Sequence, residues 1–183
     1  EGERTFTRSF FMSDTPDFDP IINVRDAPLE TTGGDAPWAG GWRVLTPHMR
    51  DAGGTLGVVQ NTLPPGSVGC PFHWHLREDE VFFVLSGRGV LRYGEELFEL
   101  RPGDCVSCPA GTQVAHQIGN PYDQELVYLA MGPREPHEIC GYPDSGKTMV
   151  RTTQTVGVLE KTGYMHGEGD VPGIFAAIDT AKG

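Results

Sequence analysis

The chain has 183 residues, with 25 Gly, 15 Pro and a formal net charge of -11. That length suits one domain with a real core, and the Gly and Pro content suits short strands joined by tight turns. The charge argues against nucleic acid and anionic membrane surfaces as partners, and no apolar run approaches the roughly 18 residues of a membrane-spanning helix.

Four unevenly spaced cysteines, Cys70, Cys105, Cys108 and Cys140, make no disulfide framework, so a reducing cytoplasm is the expected location. The opening Glu1-Gly2-Glu3-Arg4 does not read as a signal peptide. Residues 1–54 are expected to form an N-terminal arm and outer strands. Phe6, Phe10 and Phe11 make the arm apolar, while Pro16 and Pro20 break any long element, so the arm should pack on the body or on a second subunit. Ile21 to Val24 reads as a short strand, Asp26 to Gly41 as a loop hinged at Gly33-Gly34 and Gly40-Gly41, and Trp42 to Thr46 as a strand.

Residues 55–132 carry the dense part. Strands are expected at Thr55–Leu63, Gly69–Leu76, Glu80–Leu85, Val90–Tyr93, Leu97–Leu100, Cys105–Cys108, Val114–Ile118 and Leu126–Met131, separated by turns such as Pro64-Pro65-Gly66 and Gly94-Glu95-Glu96. Short strands at this spacing, with almost no helical periodicity, predict an all-β antiparallel sandwich or barrel. The run Val81-Phe82-Phe83-Val84-Leu85 is apolar on both faces and should be buried from both sides. Residues 133–183 read as a Pro/Gly-rich linker to Gly146, an added strand within Met149–Val156, and a tail with one helical turn near Ile174–Ile178.

The chemistry concentrates between Gly69 and Asn120. His73 and His75 are two residues apart, which on a strand puts both imidazoles on one face. Two imidazoles, a nearby carboxylate and a more distant His suit a divalent transition metal. The candidate ligands are His73, His75, Glu80 and His116, with Glu78 the rival carboxylate and Asp79 a weaker one. Glu80 requires the chain to turn between Leu76 and Asp79, so that Glu80, Phe82 and Val84 share an inward face. Three nitrogens and one oxygen leave open positions on a five- or six-coordinate ion, where water, oxygen or a chelating substrate can bind. Iron, manganese, nickel, cobalt, copper and zinc all satisfy such a set. Gln60, Arg92, Tyr93 and Gln113 are the candidates for lining a substrate pocket, and Arg77, Arg88 and Arg92 are the basic groups available to a phosphate.

This stretch resembles the two motifs of the cupin superfamily. The first is carried by His73, His75, Glu80 and Gly87; the second by Gly103, Pro109, Gly111, His116 and Asn120, with a longer gap between Gly111 and His116 than is usual. The resemblance, to small single-domain members, implies a double-stranded β-helix (a jelly-roll barrel) over residues 55–132. It also implies one divalent metal and a small-molecule ligand or substrate. Oxygen-dependent cleavage of a dioxygenase type, or isomerase and lyase chemistry including that of sugar-phosphate isomerases, are the implied reactions. A non-catalytic ligand-binding barrel is the alternative. Many cupins pair, so a homodimer is expected.

Two other patterns weigh less. Gly141 to Thr148 matches the phosphate-binding G-x-x-x-x-G-K-T string, yet β-branched residues follow where a helix must begin, so a turn is the better reading. Cys105-x-x-Cys108 with His137-x-x-Cys140 has zinc-like spacing, but residues three apart on a strand face opposite ways, and four unpaired small apolar side chains are the simpler account.

Overall fold

The computed structural model describes residues 18–32, 36–49 and 51–181. Phe6, Phe10, Phe11 and the hinge at Gly33-Gly34 lie outside the described residues. In chain order the strands are β1 (Glu30–Thr31), β2 (Gly41–Val44), β3 (Leu56–Leu63), β4 (Ser67–Val68), β5 (Trp74–His75), β6 (Glu80–Ser86) and β7 (Gly89–Tyr93). There follow β8 (Glu96–Leu100), β9 (Cys105–Cys108), β10 (His116–Asn120), β11 (Leu126–Pro133), β12 (Ile139–Tyr142), β13 (Lys147–Val150) and β14 (Thr155–Val158), then one helix, α1 (Gly173–Ala181). That helix is far too short to cross a membrane, and no other described helix is long and apolar enough.

The pairings are antiparallel and form three sheets, ordered β1-β2-β3-β11-β6-β9, β4-β10-β7-β8 and β14-β13-β12-β5. The first two sheets enclose the core, a cluster of Leu63, Phe82, Val84, Leu91, Leu100, Cys108, Ile118, Leu126 and Tyr128. In β6, β7, β10 and β11 buried positions alternate with less buried ones, the period of two by which one face of each strand meets the core. The β6–β7 turn depends on Gly87: its φ is +78°, and a Cβ there would strike the Glu125 carbonyl.

Several expectations need correction. Val81 to Leu85 is not buried on both sides. Phe82 and Val84 point into the core, whereas Leu85 is 41% exposed, because among the described residues no further layer covers the outer face at that point. Gly69 to Leu76 is not one strand: only Trp74 and His75 are in β5, and His73 joins through an isolated bridge to His116. Ile21 to Val24 forms no strand; Asn23 instead opens a turn, its carbonyl accepting from the N–H groups of Asp26 and Ala27.

The segment read as a linker contains β12, which pairs His75 with Cys140 and so joins the third sheet to the barrel. Beyond it, two strands replace the one expected, with the 3-10 turn Arg151–Thr153 between them. The G-x-x-x-x-G-K-T string spans the β12–β13 hairpin, where Gly146 turns the chain at φ +64° and a strand follows in place of a helix. The helix in the tail is longer than one turn, and its Ile174, Phe175 and Ile178 are exposed. Cys105 is exposed and Cys108 buried, as opposite strand faces require.

Candidate metal centre

Four side chains arrive from three places. Glu80 opens β6 and shares its inward face with Phe82 and Val84, so the burial of those two aims the carboxylate into the barrel. His116 opens β10. Reciprocal backbone bonds hold His73 against it, N–H of His73 to the His116 carbonyl at 3.1 Å and the reverse at 2.8 Å. His75, in β5, is tied to the Pro109-Ala110-Gly111 turn by the Gly111 N–H at 3.0 Å.

The three Nε2 atoms converge on one oxygen. Glu80 Oε2 lies 2.7 Å from His116 Nε2, 3.2 Å from His75 Nε2 and 3.7 Å from His73 Nε2. One donor atom from each of the four residues lies within 4.8 Å of the others. His73 Nδ1 sits 2.8 Å from the Pro71 carbonyl, which can only accept; Nδ1 therefore carries the hydrogen, and a neutral ring offers its Nε2 lone pair inward. Among the described residues His75 Nε2 is buried with no hydrogen-bond partner, and so is His116 Nδ1. A buried orphan nitrogen is costly. An ion among the three Nε2 atoms would satisfy the one on His75, so the donor set fits a divalent transition metal.

The charges point the same way. Burial favours neutral Glu80, but the contacts from His116, His73 and His75 outweigh it and hold the carboxyl well below the usual carboxylate range. Burial also opposes charge on His73, but contacts with Cys70 and Glu80 more than offset it, pushing the ring up to about 11. For His116 burial dominates and pulls the ring below its ordinary value. Without a metal, the site therefore keeps a proton on His73 facing the Glu80 carboxylate.

The rival carboxylates go elsewhere. Glu78 is 6% exposed, is paired with Arg151, and approaches His75 from behind, its Oε2 3.5 Å from Nδ1. Asp79 is exposed and accepts the Ala110 N–H at 2.8 Å.

A cavity of about 710 Å³ adjoins the cluster, with Trp42, Val59, Glu80, Ala130, Arg134 and Arg151 among its lining residues. None of the four residues expected to line a substrate pocket is part of that lining. Gln60 pairs with Leu129, which pairs with Phe83, while Val59, Ala130 and Phe82 form the neighbouring row. Gln60 therefore lies on the sheet face opposite Glu80. Arg92 stacks over the Phe72 ring and pairs with Asp144 at 2.8 Å. Tyr93 packs against the core beside His116. Gln113 is exposed on a loop at φ +57°. Among the expected phosphate-binding groups, Arg88 is spent on Glu99.

Sequence reasoning missed Glu138 and Cys140, which stand directly behind His75. The apolar character of Ile139 to Tyr142 was a strand signal, but nothing local reports that Cys140 pairs with His75 across 65 residues.

Residues 60–132 match the family model described as the cupin domain. The chain carries a cupin domain. A 71-residue stretch is 31% identical to an uncharacterised protein of Methanocaldococcus jannaschii, covering 39% of this chain and 48% of that protein, so the chain spans about half the length of the curated relative it matches. Among solved structures it is similar to a sugar phosphate isomerase from a cupin superfamily of Silicibacter pomeroyi. The TM-score is 0.63 at 25% identity, over 79% of this chain and 94% of that one. A cupin-2 domain protein of Rhodospirillum rubrum matches over 91% of this chain and 97% of its own, with TM-score 0.54 and 18% identity, a likeness of fold alone. The likeness of fold thus spans more of the chain than the matched residues 60–132.

Proposed function

We propose that His73, His75, Glu80 and His116 hold one divalent transition metal and that the protein is a metal-dependent enzyme of the isomerase or lyase type acting on a small polar molecule. The observation that carries this reading is the convergence of three imidazole Nε2 atoms on one carboxylate oxygen at the wall of a cavity of about 710 Å³. A bound ion would supply Lewis-acid polarisation of a carbonyl or hydroxyl oxygen.

The chain's own residues do the rest. The Glu80 side chain is 24% exposed against 3% for His116, so the carboxylate is the side of the cluster turned to the cavity. Trp42 and Val59 give the cavity apolar walls that restrict water. Arg134 lines it as an exposed cation, suited to an anionic group on the substrate. The similarity to the Silicibacter pomeroyi isomerase supports phosphorylated sugars as the first substrates to try.

The test starts with elemental analysis of untagged protein and its His75→Ala variant, followed by NMR of aldose and ketose phosphates with and without a chelator. About one transition-metal ion per chain, lost in the variant, and a chelator-sensitive interconversion are expected. Metal retained by His75→Ala, or none bound by the wild type from added iron, manganese, cobalt, nickel, copper or zinc, refutes the assignment. The protein is further proposed to be a homodimer. Among the described residues the third sheet ends in an open strand edge at β14, whose Val156 and Val158 are 57% and 70% exposed, and such edges invite pairing with a second copy. Light scattering at twice the chain mass is expected; a monomer refutes it.

A further inference from the structure

The three histidines of the cluster are not equivalent on their far sides. His73 Nδ1 meets a neutral backbone carbonyl. His116 Nδ1 has no hydrogen-bond partner among the described residues. His75 Nδ1 faces three groups: Cys140 Sγ at 3.2 Å, Glu78 Oε2 at 3.5 Å and Glu138 Oε1 at 3.7 Å. Arg151 neutralises Glu78. Glu138 has no such cation. Its carboxylate is 0% exposed and accepts the Leu76 N–H at 2.7 Å and the Arg77 N–H at 3.0 Å, and the one cationic group within ion-pair distance among the described residues is the His75 ring.

A fully buried carboxylate held by backbone N–H groups alone keeps a large desolvation cost. Positive character on His75 Nδ1–H would offset it, and donation from Nε2 to an ion creates that character. The Leu76 and Arg77 N–H groups belong to the residues that immediately follow His75, so they fix Glu138 relative to this ring and to no other ligand.

We propose that Glu138, together with Cys140 against the same ring nitrogen, is a positioning residue for the metal: it holds His75 as the Nδ1–H tautomer and makes it the strongest nitrogen donor of the set. The inference rests on the metal-binding reading above. Cys140 takes the directed contact, and Glu138 supplies the charge behind it. Since β12 carries one residue and immediately follows the other, the third sheet is part of the metal centre's support, with the β12–β5 pairing as the link.

The experiment measures the Co(II) dissociation constant by chelator competition, the Co(II) visible spectrum and the metal-free Tm. It compares the wild type, Glu138→Gln, Cys140→Ala and a core control, Leu126→Val. Glu138→Gln is expected to weaken Co(II) binding about 10- to 100-fold and to shift the visible bands. Cys140→Ala is expected to weaken it in the same direction by a smaller factor. The core control should lower Tm and leave affinity and spectrum alone. A merely structural role would make Glu138→Gln behave as the control does. Affinity within about twofold of wild type in both variants overturns the proposal while leaving the metal reading intact. Should Glu138→Gln fail to fold, Cys140→Ala decides by the same criterion. A wild type that binds no Co(II) overturns the metal reading and this inference together.

Discussion

Replacing Arg151 with Met strips the cation from a buried ion pair. The Glu78 side chain is 7% exposed and that of Arg151 25%, and the two are joined in parallel, Nη2 to Oε2 at 2.8 Å and Nη1 to Oε1. Nη1 also donates to the Glu135 carbonyl at 2.7 Å, so the guanidinium clasps the turn after β11 to the end of β13. Without it, Glu78 keeps one backbone donor, the Glu135 N–H at 2.6 Å, and lies 3.5 Å from His75 Nδ1. Breaking one side of a buried pair costs about 3–5 kcal/mol, and the remaining N–H places this case near the lower end. The double variant Glu78→Gln/Arg151→Met keeps an acceptor for the Glu135 N–H and removes the stranded charge, so it should recover about 2 kcal/mol of that loss. Urea unfolding of the metal-free protein, with unchanged slopes, measures both. A cost below about 1 kcal/mol for Arg151→Met, the value of a surface pair, or a double variant worse than the single, would refute the reasoning.

Leu126 is 0% exposed at the centre of the core, so Leu126→Ala should cost about 2–5 kcal/mol in the same assay; a loss under about 1 kcal/mol would mean the site collapses freely. The metal-free protein should be most stable near pH 6.5. Above it, the interaction that raises His73 is progressively lost as pH climbs towards about 11. Below it, the depressed His116 withholds a proton that the unfolded chain binds, and below about 4.5 the depressed Glu80 does the same, so stability falls on the acid side too. Tm against pH checks the profile, and Glu80→Gln should flatten its acid limb; an unchanged limb would contradict the assignment. Metal at a hundredfold excess over its Kd should add about 2.7 kcal/mol and raise Tm by roughly 5–10 °C. At a fixed metal concentration the gain should shrink as pH falls, because imidazole ligands must be neutral and the metal has to displace the proton that His73 holds up to about 11. An equal gain at pH 5 would sink the histidine assignment.

The amino-acid order by itself determined the class of fold and the members of the cluster. Alternating apolar residues and Gly/Pro turns are local signals, and they located most of the strands from Leu56 to Pro133. His73, His75, Glu80 and His116 were legible because their types and spacings state what they can donate. Tertiary structure decided between the rival carboxylates. Glu78 has the same parity as Glu80 but lies before β6 and is drawn to Arg151, Asp79 accepts the Ala110 N–H, and Glu80 meets the three Nε2 atoms. It decided the pocket as well: Gln60 and Val59 are neighbours in sequence, and one step reverses the face. It also supplied Glu138 and Cys140, since pairing across some sixty residues leaves no trace in local composition. Chemistry that resides in a residue's type and near neighbours is written in one dimension; chemistry that depends on which face a side chain takes, or on what packs behind it, exists only once the sheets have closed.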